Sequence, residues 1–317
     1  MENRHMCKQL RCQGPRALAV VVLYQVDEKN SVCLKSLFAS RERAGSTESS
    51  LQILVYDNSP SKDKSSRPRG DGVWFESYGV NKGTSVAYNR ALELAIEGGF
   101  DWIMLLDQDT ELPADFVEKA FKEMECYAEQ GSVAAIAPVV RCNGIIRSPS
   151  LPVKVRTRYL PVASCGIQEK EIICICSGTI VRRSFVASLG GFNESFWLDY
   201  LDYWLCHQIY ANGKKIAIMP SVVEHDLSVS DRRAQISKSR YSSILAGEVA
   251  FTTTYKSLSA RLYLMARLAI RSIRFALEGN RDLSWISIRY FAEIIMHPAR
   301  VFEAAEMWKS MGGVEAS

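Results

Sequence analysis

The sequence predicts an α/β fold: a mostly parallel, Rossmann-like sheet flanked by helices, with a helical appendage at the C-terminus. Three observations predict it. Short, continuous, β-rich apolar runs recur through the first half, as expected of strands buried on both faces. Segments with helical spacing separate them, which is the alternation of a parallel sheet covered by helices. Polar and acidic residues gather where the runs end, and in open parallel sheets ligands sit beyond the carboxyl ends of the strands.

The elements follow in order. Residues 1–15 form a polar, basic tail. The first strand is Ala17–Leu23, and residues 31–40 carry apolar side chains at helical spacing. Residues 51–56 are the second strand, stopped by Asp57-Asn58-Ser59-Pro60. Residues 61–72 are charged and rich in Ser, Arg and Gly, so a mobile loop is expected. Val73–Ser77 reads as a third strand, 84–96 as a helix ended by Gly98-Gly99, and 102–106 as a fourth strand followed by Asp107-Gln108-Asp109-Thr110. Beyond it come an amphipathic helix over 113–129, a strand over 133–140, a loop over 142–161 and a strand-like run over 171–181. Residues 201–210 suit a helix closed by Asn212-Gly213. From about Ser230 helix formers dominate and turn signals are few. The expected organisation is a tail over 1–15, an α/β catalytic domain over 16–230 and a helical region over 231–317.

Composition bounds the function. The 317 residues are 47% hydrophobic and 23% charged, which permits a sizeable core. The 39 basic and 35 acidic residues leave a net charge of +4, too small to argue for nucleic acid. Nine cysteines (7, 12, 33, 126, 142, 165, 174, 176 and 206) are odd in number, scattered and without a CxxC zinc spacing. Reduced thiols in a cytoplasmic protein are expected. Basic residues precede Ala17–Leu23, but Tyr24-Gln25-Val26-Asp27-Glu28 follows without a small-residue cleavage site, so the run reads as a strand rather than a signal peptide. No apolar stretch approaches the ~20 residues that span a bilayer.

Four stretches carry chemistry. Asp107-Gln108-Asp109 directly follows an apolar strand, where two carboxylates two apart can point to one side and hold Mg²⁺ or Mn²⁺ through oxygen. A polar turn has the same composition. Asp57-Asn58-Ser59 can accept hydrogen bonds from a base or ribose, and equally suits a turn. Residues 81–89, NKGTSVAYN, place small residues at a helix start, where free N–H groups suit a phosphate; a plain helix cap looks the same. Asp199 and Asp202 lie among aromatic residues in FWLDYLDYW. Aromatic rings stack on sugars, and burial among them raises a carboxylate's pKa and makes it a better base. The bland reading is an aromatic helix start with Asp caps.

Taken together and in this order, these motifs resemble the family 2 glycosyltransferases of GT-A fold, over about residues 17–226. The stretch FWLDYLDYWLCHQIYANG is most similar to the bacterial rhamnosyltransferase branch of surface-polysaccharide assembly. The resemblance implies an inverting sugar transfer from a nucleotide diphosphate, dTDP-rhamnose first and a UDP-hexose second, onto a saccharide acceptor that is lipid-linked. It implies Tyr24, Asp57 and Asn58 around the nucleobase and ribose, and Gly83 and Asn89 under the nucleotide. It further implies Asp107 and Asp109 at the metal, Asp109 the more direct ligand, with His225 meeting the metal or diphosphate. Asp202 would be the general base, and Asp199 would help hold the acceptor. Three departures bear on the substrates: Trp204 stands where an acid usually follows the base, His207-Gln208 replaces a basic residue, and Ala246-Gly247 stands where an Arg-Asn pair is usual.

Competing readings are weaker at the residue level. A haloacid dehalogenase-type phosphatase opens its domain with DxD, whereas here about a hundred residues precede it. A nucleotidyltransferase carries a Gly-rich loop with Arg and Lys after the first strand, where this chain has Tyr24-Gln25-Val26-Asp27. A non-catalytic nucleotide-sugar or carbohydrate-binding protein would not need Asp107, Asp109 and Asp202 together. Arg267, Arg271 and Arg274 are spaced as one basic stripe on a helix, edged by Leu264, Leu268, Ile270 and Ile273. Such a helix lies on an anionic membrane or packs with its Arg face in water. The implied lipid-linked acceptor favours peripheral contact with the inner face of the cytoplasmic membrane.

Overall fold

The computed structural model describes residues 14–45, 50–60, 65–152, 158–161, 164–225, 236–297 and 302–310. In chain order the strands are β1 (Ala17–Leu23), β2 (Leu51–Asp57), β3 (Ser65–Gly70), β4 (Val73–Ser77), β5 (Trp102–Asp107), β6 (Thr110–Glu111), β7 (Val133–Cys142), β8 (Ile145–Ser148), β9 (Ser150–Leu151), β10 (Arg158–Tyr159), β11 (Gly166–Gln168), β12 (Ile180–Arg182) and β13 (Lys215–His225). The helices are α1 (Val32–Arg43), α2 (Thr84–Glu97), α3 (Phe116–Cys126), α4 (Arg183–Ser188), α5 (Leu201–Ala211), α6 (Lys238–Tyr255), α7 (Leu258–Leu277), α8 (Arg281–Met296) and α9 (Ala304–Ser310).

One sheet runs β11-β13-β7-β12-β5-β1-β2-β4-β3, with β6 added on β13 and β8 on β7. Its centre, β5-β1-β2-β4, is parallel. The register pairs Val22 with Asp107 and Leu23 with Asp57, so three strands end at one level. β12 enters antiparallel between β5 and β7, which makes the sheet mixed. Alternation along β1 divides the core in two. Ala17, Ala19, Val21 and Leu23 pack with Leu34 and Leu37 of α1 and Phe116 of α3. Leu18, Val20 and Val22 face the other side, with Tyr88 and Ala91 of α2 and Trp204 of α5. This two-sided burial is why the strands carry apolar runs rather than alternating ones.

Three expectations are corrected here. Ser65–Gly70, within the expected loop, forms β3 and pairs antiparallel with β4, closing that edge of the sheet with an Arg- and Pro-bearing strand. Residues 61–64 and 153–157 of the two expected loops lie outside the described residues. The second loop contains the short strands β8, β9 and β10. The strand-like run 171–181 is mostly irregular. Only Ile180–Arg182 forms a strand, while Ser177–Thr179 turns towards β5 through Gly178 N–H to Leu105 O at 2.7 Å and Leu105 N–H to Thr179 O at 2.9 Å.

The C-terminal helices share the core of the α/β part. Leu245, Ala246 and Val249 of α6 and Tyr290 of α8 belong to the same buried cluster as Trp204 and Leu205. Hydroxyl pairs fasten α8 to its neighbours: Tyr241–Ser287 at 2.7 Å, Ser242–Tyr290 at 3.0 Å and Ser272–Ser284 at 3.0 Å. The basic stripe is also corrected. Arg267 and Arg271 turn inward to Glu248 of α6, at 2.9 and 2.6 Å, because a carboxylate only 4% exposed needs cationic partners. Arg274 pairs with Glu278 at the surface. Beside Arg274, the outward face of α7 and α8 carries many apolar residues, with Leu262, Ile270, Ile273, Leu277, Trp285 and Ile288 exposed. Among the described residues no helix is long and apolar enough to cross a membrane. The seven described cysteines are all free thiols, and Cys7 and Cys12 lie outside the described residues.

Candidate active site

The parallel register brings Tyr24, Asp57 and Asp107 to one edge of the sheet. The loop after β1 is pinned from both sides. Tyr24 N–H donates to Gln108 Oε1 at 2.7 Å, and Gln25, in a left-handed conformation (φ 54°), donates its N–H to Ser59 Oγ at 2.7 Å. Asp57 accepts Ser59 N–H at 2.8 Å on one oxygen and is half-buried. The middle residue of Asp-Gln-Asp therefore joins the Tyr24 loop to the acidic motif, a role the sequence reading missed.

His225 arrives through strand pairing. β6 pairs antiparallel with the end of β13, setting Thr110 opposite His225. His225 Nε2 lies 3.9 Å from Asp107 Oδ2, and Nδ1 lies 3.3 Å from Asp109 Oδ1 and 2.9 Å from Thr110 Oγ1. Ser177 Oγ bonds Thr110 and accepts Asp107 N–H at 2.9 Å. Burial raises the Asp107 pKa; His225 opposes this and the neighbouring Asp109 charge adds to it. Among the described residues no group of three or more His, Cys, Asp or Glu side chains is arranged to hold a metal ion. His225 reaches each of the two carboxylates, and a donor set of carboxylate oxygens is chemically of the Mg²⁺ or Mn²⁺ kind, an ion that keeps most of its coordination for phosphate oxygens and water.

The 81–89 stretch is used differently from a bare phosphate loop. Gly83 (φ 85°) lies so close to Trp197 that a Cβ would sit 2.4 Å from the Trp197 carbonyl oxygen. That oxygen accepts Thr84 N–H at 2.7 Å and Ser85 N–H at 3.3 Å, so it already caps the α2 N-terminus. Asn58 is buried and ties β2 to this loop, donating to Gly83 O at 3.1 Å and accepting Lys82 N–H at 3.2 Å. Asn89 clamps the Gly190–Phe192 turn. It donates to Phe192 O and Glu194 Oε1, and it accepts Phe192 N–H at 2.7 Å. Gly191 permits the approach, since a Cβ there would lie 2.7 Å from Asn89 Oδ1. As bonded, Asn58, Gly83 and Asn89 set the position of the loops around the site.

Asp202 opens α5 and is half-buried. It accepts Tyr203 N–H at 2.9 Å. Burial first, then the charges of Asp199 and Asp107, push its pKa up to about 7 against the hydrogen bonds that lower it. Cys176, which the sequence offers only as one of nine scattered thiols, feels both acids: burial and then the Asp202 charge raise its pKa, with Asp107 adding to it. The Asp107 charge is felt at both Asp202 and Cys176, so the two acids lie within electrostatic reach of one another. Asp199 is fully engaged. Oδ1 pairs with Arg240 of α6 at 3.0 Å, and Oδ2 accepts Ser243 Oγ–H at 2.6 Å. Burial raises its pKa, and Arg240 opposes it. Between the two acids Tyr200 sits in the left-handed region (φ 67°), stacked on Tyr203 at 4.6 Å. Gly247 makes this possible, because a Cβ there would meet Tyr200 Cδ2 at 2.9 Å and Asp199 O at 3.1 Å. The departure at Ala246-Gly247 thereby has a packing reason.

A profile described as glycosyl transferase family 2 matches residues 20–190, more than half of the chain. The chain belongs to glycosyl transferase family 2. One curated relative of this family 2 glycosyltransferase is the dTDP-rhamnosyl transferase RfbF of Shigella flexneri, 25% identical over 221 residues. The match covers 64% of this chain and 66% of that relative, just under two thirds of its length. Among solved structures, the mannosyltransferase PcManGT from Pyrobaculum calidifontis, in complex with GDP-Man and Mn²⁺, is similar at a TM-score of 0.50 and 14% identity, over 98% of this chain and 86% of that one. TarS 1-349 of S. aureus with UDP-GlcNAc gives a TM-score of 0.48 and 12% identity, over 93% and 79%. The likeness to the mannosyltransferase is one of fold, and the mixed, largely parallel sheet is of GT-A type.

Proposed function

We propose that this chain is an inverting glycosyltransferase that moves a sugar from a nucleotide diphosphate to an acceptor hydroxyl. One observation carries the reading: a half-buried carboxylate, Asp202, has its pKa pushed up to about 7 and feels the charge of Asp107, which His225 links to Asp109 at the sheet edge. Tyr24 and Asp57 line the nucleobase and ribose side, and Asn58, Gly83 and Asn89 shape that pocket. Asp107, Asp109 and His225 would hold Mg²⁺ or Mn²⁺, which would supply positive charge to the departing diphosphate. Asp202 takes the proton from the acceptor hydroxyl as its oxygen attacks the anomeric carbon, and the bond to the diphosphate breaks on the opposite side. A base near pKa 7 is well matched to neutral pH, and such catalysis typically contributes ~10²–10⁴-fold. Asp199, held by Arg240 and Ser243, positions the first turn of α5 on the acceptor side.

The preferred donor is dTDP-rhamnose, supported by the match to a dTDP-rhamnosyl transferase, with a UDP-hexose second. Assembly of bacterial surface polysaccharide, O-antigen or capsule, at the inner face of the cytoplasmic membrane follows from the same reading. The deciding experiment is thermal stabilisation by dTDP, UDP and their sugars, with and without Mg²⁺ or Mn²⁺. A ligand that binds only the folded state raises apparent stability by mass action. A metal-dependent shift lost in Asp109→Ala supports the donor site. No shift with any nucleotide, on folded protein, overturns it in favour of a non-catalytic carbohydrate-binding protein.

A further inference from the structure

A second cavity, of about 280 Å³, opens beside the first turn of α5. Its lining includes Tyr200, Tyr203, Phe251, Tyr263, Glu171 and Lys256. None of Tyr24, Asp57, Asp107, Asp109 or His225 belongs to that lining, so the cavity is separate from the donor edge. Asp199 and Asp202 are not in the lining either, but each is followed directly in the chain by a residue that is, Tyr200 and Tyr203, and through these two the cavity adjoins the first turn of α5.

The walls have the chemistry of a sugar site. Tyr203, Phe251 and Tyr263 bring aromatic rings to one small space, and aromatic rings present an apolar body with a polar tip. Tyr203 is held by its stack with Tyr200, and Tyr263 by Arg267, whose guanidinium lies 5.8 Å from the ring centre. The polar end is charged and ordered. Glu171 Oε1 meets Lys256 Nζ at 3.1 Å, and His207 Nδ1 lies 3.8 Å away. A carboxylate accepts from hydroxyls and an ammonium donates to them, so a neutral polyol satisfies both. The volume is at the small end of ligand pockets (~300 Å³), the scale of a single ring.

We propose that this cavity is an acceptor subsite that takes one pyranose ring, stacked on Tyr203 and Tyr263 and hydrogen-bonded by Glu171 and Lys256. The assignment rests on the transferase reading for its orientation: a ring held here extends from the hydroxyl that Asp202 deprotonates. Tyr200, in its left-handed backbone conformation, lies in the wall of the cavity, and Gly247 behind it leaves room for its ring.

The test is saturation-transfer NMR on the full chain with methyl pyranosides of the gluco, galacto, manno, rhamno and N-acetylglucosamine series. At least one is expected to bind, and its signal should fall at least fivefold in Tyr263→Ala and in Lys256→Met. Ala260→Trp, which fills the cavity and leaves its charged and aromatic groups in place, should do the same and covers the case in which Tyr263→Ala does not fold. Nucleotide-induced stabilisation should persist in all three variants. Loss of pyranoside binding with nucleotide binding kept supports the subsite. Pyranoside binding unchanged in the folded variants, or no binding by any pyranoside, overturns it. A folded wild type that binds a pyranoside in this cavity and no nucleotide supports the subsite while removing the donor reading.

Discussion

At the scale of single residues, the site depends on how far burial moves Asp202. Its pKa is raised to about 7, mainly by loss of water. A base must be ionised to act, so kcat is expected to fall as the pH drops through about 7. Asp202→Asn should lower kcat by roughly 10²–10⁴ and leave donor-induced stabilisation in place. The same shift has a stability consequence of fixed sign. The folded pKa lies above an unfolded value near 3.9, so the stability associated with the protonated form is lost as pH rises through about 7. Asp202→Asn is therefore expected to melt a few degrees above wild type, a gap that opens above about pH 4 and stops growing above about pH 7. Equal melting curves at pH 8 would contradict the burial account.

Elements meet at this site through close backbone approaches. Gly83 allows the Trp197 carbonyl to cap α2, and Gly191 allows Asn89 to grip the following turn. Gly83→Ala combines a positive φ with a Cβ 2.4 Å from an oxygen. It is expected to cost about 1–3 kcal/mol in denaturant unfolding and to weaken nucleotide binding, since α2 and the Trp197 loop must separate. A silent Gly83→Ala variant would show that the contact opens freely. Trp197 in turn stacks on Trp308 of α9 at 4.9 Å, so the last described helix supports the same loop.

For the whole molecule, the buried Glu248 joins the helical region together. Removing both Arg267 and Arg271 strands a carboxylate that is 4% exposed. The double change to Ala is expected to cost about 3 kcal/mol, and adding Glu248→Gln should restore part of it. Single Arg changes should cost less, because each guanidinium is partly in water. The same arrangement decides how membrane contact would look. With Arg267 and Arg271 turned inward, the outward face of α7 and α8 carries many apolar residues, so adsorption to anionic vesicles should resist high salt and weaken in Ile270→Asp/Ile273→Asp. Salt-sensitive adsorption would return the contact to basic residues elsewhere.

The sequence by itself determined the parallel centre of the sheet, the acids at the ends of β2 and β5 and the helical C-terminal region. Those features are local: a strand buried on both faces must be continuously apolar, and a ligand edge must be polar. Only the tertiary structure decided the rest. The antiparallel β12, and β6 and β11 on β13, depend on partners remote in sequence, while β3 and β8 pair with their chain neighbours from segments whose composition resembles loop. Gln108, Ser177, Cys176 and Arg240 enter the site through long-range contacts that leave no motif behind. The Arg stripe of α7 was legible as a stripe, but its direction was not. Helical spacing places three guanidiniums on one face, and the buried Glu248 on another helix determines that two of them point inward.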